Sequence, residues 1–380
     1  MSKARLTVLE LAPAADELWQ LECDPKSGFL CHEGQCVTLP DVAAGAKLRP
    51  VITATYASGK ATNIARVFEA FLDPAADTAL ARLARERLSA RLVTFLPGCA
   101  TPYRVPKVPG AALSRFTPGG AYLACLQARD FGNVEIGLEE LPPTGEVQTD
   151  RRCANIVSCD GAELINFSPY LLWDRACRDR AVEYAARMPS TDVVALAGSL
   201  PRVCGGPDRG IYADIIAAIR RTHPGTLVSL DVGGAPVDAC LRRGPSASPD
   251  LVSVNMDEYA ATDADLWRSF GGTVFVHNRR GAWIVSRAGE TVDELQERRP
   301  DVPVAPGVKP LQTICAGDAA HGGLILGIML FGRSPDALLK SLVLSQACAL
   351  TVVESEGGIR ALDAALIEGN ARRVSPAWAE

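Results

Sequence analysis

The strongest constraint on the fold is an alternation of short apolar runs and amphipathic segments that begins near residue 190. The run DVVALAG (192–198) is almost continuously apolar, which is typical of a strand buried on both faces. The next segment, DRGIYADIIAAIRRTH (208–223), carries isoleucines at helical spacing. The alternation continues to residue 278, and it favours right-handed crossovers and a parallel sheet covered by helices on both faces. We therefore expect an α/β fold.

The flanking segments are less regular, but each has a periodicity that predicts an element. A strand over 281–292 should form a hairpin with TVFVHN (273–278), and two helices should close the chain, one beginning near Gly317 and one over 336–353. The elements expected in the N-terminal half are a strand over 5–11, a helix over 62–72 and a strand hairpin over 145–167.

Composition narrows the class of protein. With 380 residues the chain can bury a large core without disulfides. Its net charge of −5 gives no indication of a nucleic-acid or anionic-membrane partner. Glu10 and Asp16 interrupt the N-terminus before a signal-peptide core could form, and the longest apolar runs are about half the length that spans a bilayer. We therefore expect a cytoplasmic protein whose twelve cysteines are reduced thiols.

One cysteine cluster has two interpretations. Cys23, Cys31, His32 and Cys36 lie in a short glycine-containing segment, and four such ligands could hold zinc. Their spacing fits no common zinc finger, so free thiols are the favoured interpretation.

The segment ICAGD (314–318) places a glycine-bearing turn directly before an apolar run. Such a turn presents unpaired N–H groups at the positive end of a helix dipole, which suits a phosphate. Asp318, in the first helical turn, could accept a proton from an attacking hydroxyl beside that anion. In the alternative interpretation Asp318 only complements the helix dipole, and this stretch alone favours the alternative.

Two further motifs also have both a functional and a structural interpretation. In YASGKATNIARV (56–67), small residues and Lys60 precede a helix, which favours an anion site. The motif is too short for a Walker A loop. In the structural interpretation Lys60 is an ordinary surface lysine. In NMDE (255–258), Asn255 and Glu258 follow a strand and could hold a hydrated magnesium ion. A capping box at the start of a helix explains this second pattern at least as well.

Polar residues also follow the expected strands directly. In a doubly wound sheet the ligand site lies beyond the carboxyl ends of the strands, so these positions predict where a site would be, without naming its chemistry. They are Asp16, Gly198, Ser199, Asp231, Asn255 and Asn278.

Taken together, five motifs resemble the ribokinase (PfkB) family of carbohydrate kinases, in that family's order and over nearly the whole chain. LAPAADEL (11–18) is similar to Asn-Pro-Ala-x-Asp, ASGKATNIARV (57–67) to Ala-Gly-Gly-Lys-Gly-x-Asn-x-Ala-Arg-Val, and AGSLP (197–201) to Ser-Gly-Ser-Leu-Pro. NMDE resembles Asn-x-x-Glu, and ICAGD stands where Gly-Ala-Gly-Asp is expected. The most similar branch is that of the sugar-phosphate kinases acting on fructose 1-phosphate or tagatose 6-phosphate.

The resemblance implies a ribokinase-like three-layer α/β sandwich over residues 1–380, with a mostly parallel central sheet. It also implies a small β-sheet lid, formed by about residues 18–56 and part of 100–130, that closes over the sugar. Family members commonly pair through this lid, so a homodimer is implied as well. The implied activity is phosphorylation of a sugar or a sugar phosphate with ATP and Mg²⁺.

The resemblance further implies a role for each matching residue. Asp318 would take a proton from the sugar hydroxyl. Asn255 and Glu258 would order Mg²⁺ through water. An anion hole would be formed by the amides of Cys315, Ala316, Gly317 and Asp318. The acceptor would be bound by Asp16, Gly59 and Asn63, and a phosphate on it by Lys60 or, more weakly, by Arg152. The nucleotide would be bound by Asn278 and Gly281.

The chain departs from the family pattern at several glycines. Cys315 replaces one in the anion hole, which would cost about 1–2 kcal/mol if the turn requires a positive φ. Ser58 and Ala61 replace two more, and the nucleotide loop Thr-x-Gly-x-x-Gly becomes Val276, Asn278 and Gly281.

These departures raise a second hypothesis, in which a kinase fold has lost phosphoryl transfer and only binds a sugar phosphate or a nucleotide. Retention of Asp318, Lys60, Asn255 and Glu258 favours the active kinase. A nicotinamide dehydrogenase is a poor third hypothesis, because no Gly-x-Gly-x-x-Gly follows the first expected strand.

Overall fold

A computed structural model describes residues 2–20, 30–32, 35–37, 51–98, 122, 125–126, 131–143, 151–157, 163–168, 171–204, 206–278, 280–286, 301–303, 305, 307–308, 310–311 and 313–379. Its strands are β1 (Ala4–Glu10), β2 (Ala14–Gln20), β3 (Leu30–His32), β4 (Gln35–Val37), β5 (Val51–Ser58), β6 (Leu88–Gly98), β7 (Glu135–Pro143), β8 (Arg152–Val157), β9 (Glu163–Phe167), β10 (Leu172–Trp173), β11 (Val193–Ala197), β12 (Arg202–Val203), β13 (Gly206–Pro207), β14 (Leu227–Asp231), β15 (Leu251–Asn255), β16 (Thr273–Asn278), β17 (Gly281–Ser286) and β18 (Asp301–Pro303). Its helices are α1 (Lys60–Leu72), α2 (Ala79–Arg87), α3 (Arg175–Arg187), α4 (Ile211–Thr222), α5 (Ala235–Arg242), α6 (Met256–Ala261), α7 (Ala264–Ser269), α8 (Ala316–Phe331), α9 (Pro335–Val353) and α10 (Ala364–Val374), with 3-10 turns at Gly358–Ala361 and Pro376–Ala379.

The central sheet has nine strands in the order β18-β17-β16-β15-β14-β11-β1-β6-β7. The strands from β16 to β7 are parallel, whereas β17 and β18 are antiparallel at one edge. The apolar run that opens the alternation became β11, and all of its residues are buried. The predicted parallel sheet is confirmed, and so is the predicted hairpin of β16 with β17.

Helices cover both faces of this sheet. On one face, α1, α8 and α9 bury side chains such as Phe68 and Leu324 against Val8 of β1. On the other face, α3 and α4 bury side chains such as Ile215 against Leu9, the next residue of β1. Because neighbouring strand residues point to opposite faces, each central strand contributes to two apolar cores. The three-layer sandwich expected from the sequence is confirmed.

A second sheet of four strands, in the order β5-β2-β8-β9, stands apart from the central one. β2 pairs antiparallel with β5 and parallel with β8, and β8 and β9 form the strand hairpin that the sequence predicted. We call these four strands the lid sheet. Most of the predicted lid segment between β2 and β5, and nearly all of residues 99–130, lie outside the described residues.

The C-terminal helices form the rest of the first core. α8 begins close to its predicted start and α9 begins and ends close to its predicted bounds, whereas α10 was not predicted from the sequence. α9 has 19 residues and a mean hydropathy of 1.5, so by length and composition it resembles a membrane span. Of its 18-residue apolar window 67% is buried inside the fold, and the helix packs against α8 and α10, as is typical of the core helix of a globular protein.

The cysteine cluster falls on a short hairpin of β3 and β4, in which Cys31 and Cys36 are backbone partners. Cys23 and the side chains of this hairpin lie outside the described residues. In the part of the chain that the structure describes, no group of three His, Cys, Asp or Glu side chains could hold a metal ion. The cysteines described there are free thiols: Cys125, Cys153, Cys177, Cys204, Cys240, Cys315 and Cys348.

Candidate active site

One edge of the central sheet brings the candidate residues together. β1 ends at Glu10, β14 at Asp231 and β15 at Asn255, and the carboxyl ends of parallel strands meet at the same edge. The N-termini of α1 and α8 meet each other through a hydrogen bond between Asn63 and Asp318. Lys60 of α1 in turn contacts Asp231, so these helix ends lie at the same edge as the strand ends.

α8 begins at a strained residue. Cys315 is its N-cap, with φ 65° and ψ 6°, a left-handed conformation that costs a residue with a Cβ about 1–2 kcal/mol. The turn therefore does require the positive φ that glycine adopts freely, and Cys315 adopts it nonetheless. The carbonyl of Cys315 accepts a hydrogen bond from the amide of Ala319 at 3.0 Å, which closes the first turn of the helix.

Three backbone amides at this N-terminus are open to an anion. Of the four predicted for the anion hole, the amide of Ala316 donates to the carbonyl of Thr313 at 3.3 Å. The amides of Cys315, Gly317 and Asp318 find no acceptor among the described residues. Such unpaired N–H groups, at the positive end of a helix of 16 residues, are suited to phosphate oxygens.

His277 and the predicted nucleotide loop border these amides. A Cβ at Gly317 would lie 2.9 Å from Cε1 of His277, so a larger residue there would displace the imidazole ring. Burial lowers the pKa of His277 to about 4, which leaves a neutral imidazole beside the helix end. In the hairpin that follows, Oδ1 of Asn278 accepts from the amide of Arg280 at 2.7 Å, and Gly281 has φ 152°. Asn278 thus supports the turn through its own side chain.

Asp318 has the properties of a base that works near neutral pH. Its Oδ2 accepts a hydrogen bond from Nδ2 of Asn63 at 2.8 Å. Burial raises the pKa of Asp318 to about 7, against the opposing charge of Lys60 and with a further rise from the charge of Asp231. The other polar atom of Asn63, Oδ1, is buried without a partner in the described part of the chain. A ligand hydroxyl donating to that oxygen would satisfy it.

Lys60 supplies a positive charge to the same space. Its Nζ lies 2.9 Å from Oδ1 of Asp231, and its side chain is 38% exposed while that of Asp231 is 4% exposed. Burial lowers the pKa of Lys60, but the charges of Asp231 and Asp318 outweigh burial and hold it above its ordinary value. Although burial favours the neutral acid, Lys60 and His321 hold the pKa of Asp231 well below its ordinary range. The pair therefore remains ionised.

Glu10, which the sequence analysis did not propose as a site residue, holds the loop before α1. It is fully buried, and its carboxylate accepts hydrogen bonds from the amide of Thr62 (3.0 Å), the hydroxyl of Thr62 (3.1 Å) and the amide of Ala12 (3.2 Å). A Cβ at Gly59, where φ is 118°, would lie 2.3 Å from Oε2 of Glu10. Gly59 therefore has a packing role whether or not it binds an acceptor. The signal in the sequence was one acid inside the apolar run RLTVLEL (5–11).

Asp16 lies in β2 of the lid sheet and is 8% exposed. Its Oδ2 accepts from the hydroxyl of Ser58 at 2.6 Å, and burial raises the pKa of Asp16 while that hydrogen bond and the charge of Arg151 oppose the rise. Arg151 is itself buried and donates to the hydroxyl of Ser168 at 2.9 Å. Arg152, the residue proposed from the sequence, pairs with Ala15 in the lid sheet, and its side chain lies outside the described residues.

Asn255 and Glu258 form the capping box that was the structural interpretation of NMDE. The amide of Glu258 donates to Oδ1 of Asn255, and the amide of Asn255 donates to Oε2 of Glu258, both at 2.9 Å. The remaining oxygen, Oε1 of Glu258, packs on Gly233, just beyond the end of β14, where a Cβ would lie 2.5 Å from it. Glu258 can therefore cap α6 through Oε2 and still act on Lys60 of the site through its negative charge. Carboxylate and amide oxygens are also the ligands that a hydrated Mg²⁺ accepts.

His321 is another residue that the sequence analysis missed. It lies one turn beyond Asp318 in α8, is fully buried, and contacts Asp231 through Nδ1 at 3.2 Å. A single histidine in the apolar run AAHGGLILG (319–327) was its only signal.

Comparisons with known proteins give similar folds at low sequence identity. No family model matches the chain, and no curated protein matches it. A crystal structure of phosphofructokinase-2 from Escherichia coli in complex with potassium is 17% identical, with a TM-score of 0.64 over 98% of this chain and 99% of that one. A possible 1-phosphofructokinase from Thermotoga maritima is 13% identical, with a TM-score of 0.60 over 97% and 98%. A Burkholderia thailandensis nucleoside kinase in complex with inosine is 14% identical, with a TM-score of 0.57 over 98% of both chains. At these identities the likeness establishes the fold: the chain is a ribokinase-like α/β sandwich along nearly its whole length.

Proposed function

We propose that this chain is an ATP-dependent kinase that transfers the γ-phosphate to a hydroxyl of a sugar or a sugar phosphate. The observation that carries the proposal is the arrangement at the start of α8. Asp318, with its pKa raised to about 7, lies beside unpaired backbone amides and within the field of the Lys60 ammonium. A base, an anion hole and a cation at one point are the parts that phosphoryl transfer needs.

In the proposed reaction the acceptor hydroxyl donates its proton to Asp318 while its oxygen forms a bond to the γ-phosphorus. The bond from that phosphorus to the bridging oxygen of ADP breaks, and ADP leaves. The amides of Gly317 and Asp318 stabilise the negative charge on the transferring group. Asn63 orients Asp318 through Nδ2, and its unpaired Oδ1 accepts from a second acceptor hydroxyl.

The Mg²⁺ that such kinases use would be held near Asn255 and Glu258, through water. It would supply charge neutralisation to the phosphates. Oδ1 of Asn255 and Oε2 of Glu258 already accept from backbone amides, which favours contact through water over direct ligation by these two oxygens. Asn278 and Gly281, in the β16–β17 hairpin, would border the nucleotide.

The acceptor would lie between α8 and the lid sheet. Asp16 and Gly59 would contact its hydroxyls, and Lys60 or Arg152 would contact a phosphate on it. Among the solved structures of similar fold, one is a phosphofructokinase-2 in complex with fructose-6-phosphate and another a nucleoside kinase in complex with inosine, so polyhydroxylated acceptors are the class to test. We further propose a cytoplasmic enzyme that forms a homodimer through the lid sheet.

The test is ADP release from ATP and Mg²⁺ with a panel of hexoses, pentoses, nucleosides and their monophosphates. The proposal predicts turnover with at least one acceptor, abolished by Asp318→Asn while acceptor binding is retained. The rival hypothesis, a protein that only binds, predicts that some of these compounds raise the melting temperature and none is turned over. That second outcome would overturn the proposal.

A further inference from the structure

His321 is a polar side chain in a helix that is otherwise apolar at this level. It is fully buried, and Ala320 and Leu324 of the same helix belong to the apolar core. A buried imidazole is retained in such a place only when its nitrogens are hydrogen-bonded. The proposed reaction gives His321 no direct part, so its partners indicate what it does.

Those partners form one chain of hydrogen bonds that ends at Lys60. Nε2 of His321 lies 2.6 Å from the hydroxyl of Ser229, and Nδ1 lies 3.2 Å from Oδ2 of Asp231. The other oxygen of Asp231, Oδ1, lies 2.9 Å from Nζ of Lys60. Ser229 and Asp231 are two residues apart on β14, so both side chains point to the same face of the sheet.

The direction of each bond follows from the donors available. An ionised carboxylate can only accept, so Nδ1 of His321 must carry a proton and donate to Asp231. Nε2 pairs with the hydroxyl of Ser229, which can donate or accept. Each oxygen of Asp231 thus receives a donor of its own, one from His321 and one from Lys60. The carboxylate is held at both ends and cannot rotate without breaking a buried hydrogen bond.

Lys60 is the member of this chain that faces the site. A lysine side chain is flexible, and this one is 38% exposed, so its ammonium would move unless its partner were fixed. We propose that His321 is a positioning residue for Lys60: by holding Asp231 it fixes the ammonium where it binds a phosphate oxygen during phosphoryl transfer. The proposal rests on the proposed kinase function, because it assumes that Lys60 binds a phosphate.

A double-mutant cycle tests this. His321→Leu removes the donor to Asp231 and should lower kcat/KM about 10- to 100-fold, because small displacements of a catalytic group have effects of this size. In a Lys60→Ala background the same change should have little further effect, since its target is gone. His321→Asn should restore kcat/KM to within about threefold of the wild type, because its Nδ2 can replace Nδ1 as the donor to Asp231. His223→Leu, at the C-cap of α4, is the matched control and should leave kcat/KM unchanged.

Each other outcome contradicts the proposal. Equal losses in the two backgrounds would mean that His321 supports the fold and not Lys60, and an active His321→Leu variant would mean that the contact is dispensable. If His321→Leu does not fold, His321→Asn is compared with His321→Gln, whose amide reaches only towards Ser229; equal activities would overturn the proposal.

A readout without turnover separates this proposal from the kinase proposal. Nitrogen-15 NMR of histidine-labelled protein, assigned by the signal lost in His321→Asn, should show a proton on Nδ1 of His321. A ring protonated only on Nε2 would refute the hydrogen-bond chain even in an active kinase. A wild type that transfers no phosphoryl group would refute the kinase proposal and leave the hydrogen-bond chain to be judged by NMR.

Discussion

Asp318→Asn should make the protein inactive and, above neutral pH, more stable. Asn at this position keeps the shape of Asp318 and can still accept from Asn63 through its carbonyl oxygen. It cannot take the proton of an acceptor hydroxyl, so we expect kcat to fall by about 10²- to 10⁴-fold. The gain in stability follows from the same property that makes Asp318 a base, which is the rise of its pKa from 3.8 to about 7 on burial.

The sign and size of that gain follow from linkage. The folded protein binds the proton of Asp318 more tightly than the unfolded chain, so the contribution of Asp318 to wild-type stability is highest below about pH 4, falls as pH rises to 7, and stays low above it. A rise of about three pKa units corresponds to about 4 kcal/mol at 1.36 kcal/mol per unit. Partial exposure of the carboxyl and relaxation of the site reduce this figure, and we expect about 2 kcal/mol at pH 8. Asn is neutral at every pH and avoids the loss.

Urea unfolding, followed by the fluorescence of the five tryptophans, measures the difference between the two proteins. The gain should be full at about pH 8 and small at about pH 4.5. Burial also raises the pKa of Glu10 to about 7, so ionisation of Glu10 destabilises both proteins over the same pH range. Only the difference between their free energies of unfolding therefore reports on Asp318. A variant no more stable than the wild type at pH 8, or one that retains turnover within about tenfold, would refute the assignment of Asp318 as a buried base.

Two further substitutions test neighbouring residues. Lys60→Ala should raise KM for phosphorylated acceptors far more than for neutral sugars; steady-state kinetics with both classes checks this, and equal effects would mean that Lys60 does not bind the acceptor's phosphate. Cys315→Gly should change the free energy of unfolding by less than about 1 kcal/mol, because relief of about 1–2 kcal/mol of left-handed strain is offset by the entropy that glycine loses on folding. Its turnover should stay within about threefold of the wild type, since the amides are already in place, and a loss above about tenfold would mean that the thiol itself takes part in the site.

The alternation of apolar runs and amphipathic segments predicted the architecture well, because each strand and each crossover helix has its own local periodicity. β11, β14, β15 and β16 all follow the apolar runs that the sequence indicated. Periodicity also explains why α10 was missed: its buried face carries only one large apolar side chain, Ile367, and includes an acid, Glu368, so no apolar stripe marks it in the sequence.

The buried polar residues of the site could not be predicted in the same way, because their partners are distant in the chain. His321 and Asp231 are 90 residues apart, and Glu10 and Thr62 are 52 apart. No local pattern distinguishes such a residue from an ordinary core position. Arg151 was missed as well, because nothing in the local sequence RRC (151–153) indicates that its side chain is buried.

The conformation of Cys315 was likewise beyond the sequence. A glycine at that position would have predicted a positive φ, whereas a cysteine left two possibilities, a different turn or a strained one. The structure has the strained one, with φ 65°. Strain of this kind persists only where the surrounding structure imposes it, and it is concentrated at functional sites.

The most direct test of the account is to follow the phosphoryl group itself. ATP labelled with oxygen-18 on its γ-phosphate is incubated with Mg²⁺, the acceptor panel and either the wild type or Asp318→Asn, and the acceptors are analysed by mass spectrometry. We predict that the wild type transfers a labelled phosphoryl group to at least one acceptor and that Asp318→Asn transfers it at least about 100-fold more slowly. Unlabelled acceptors throughout, with some of them nevertheless bound by the wild type, would contradict the claim that this site is a kinase.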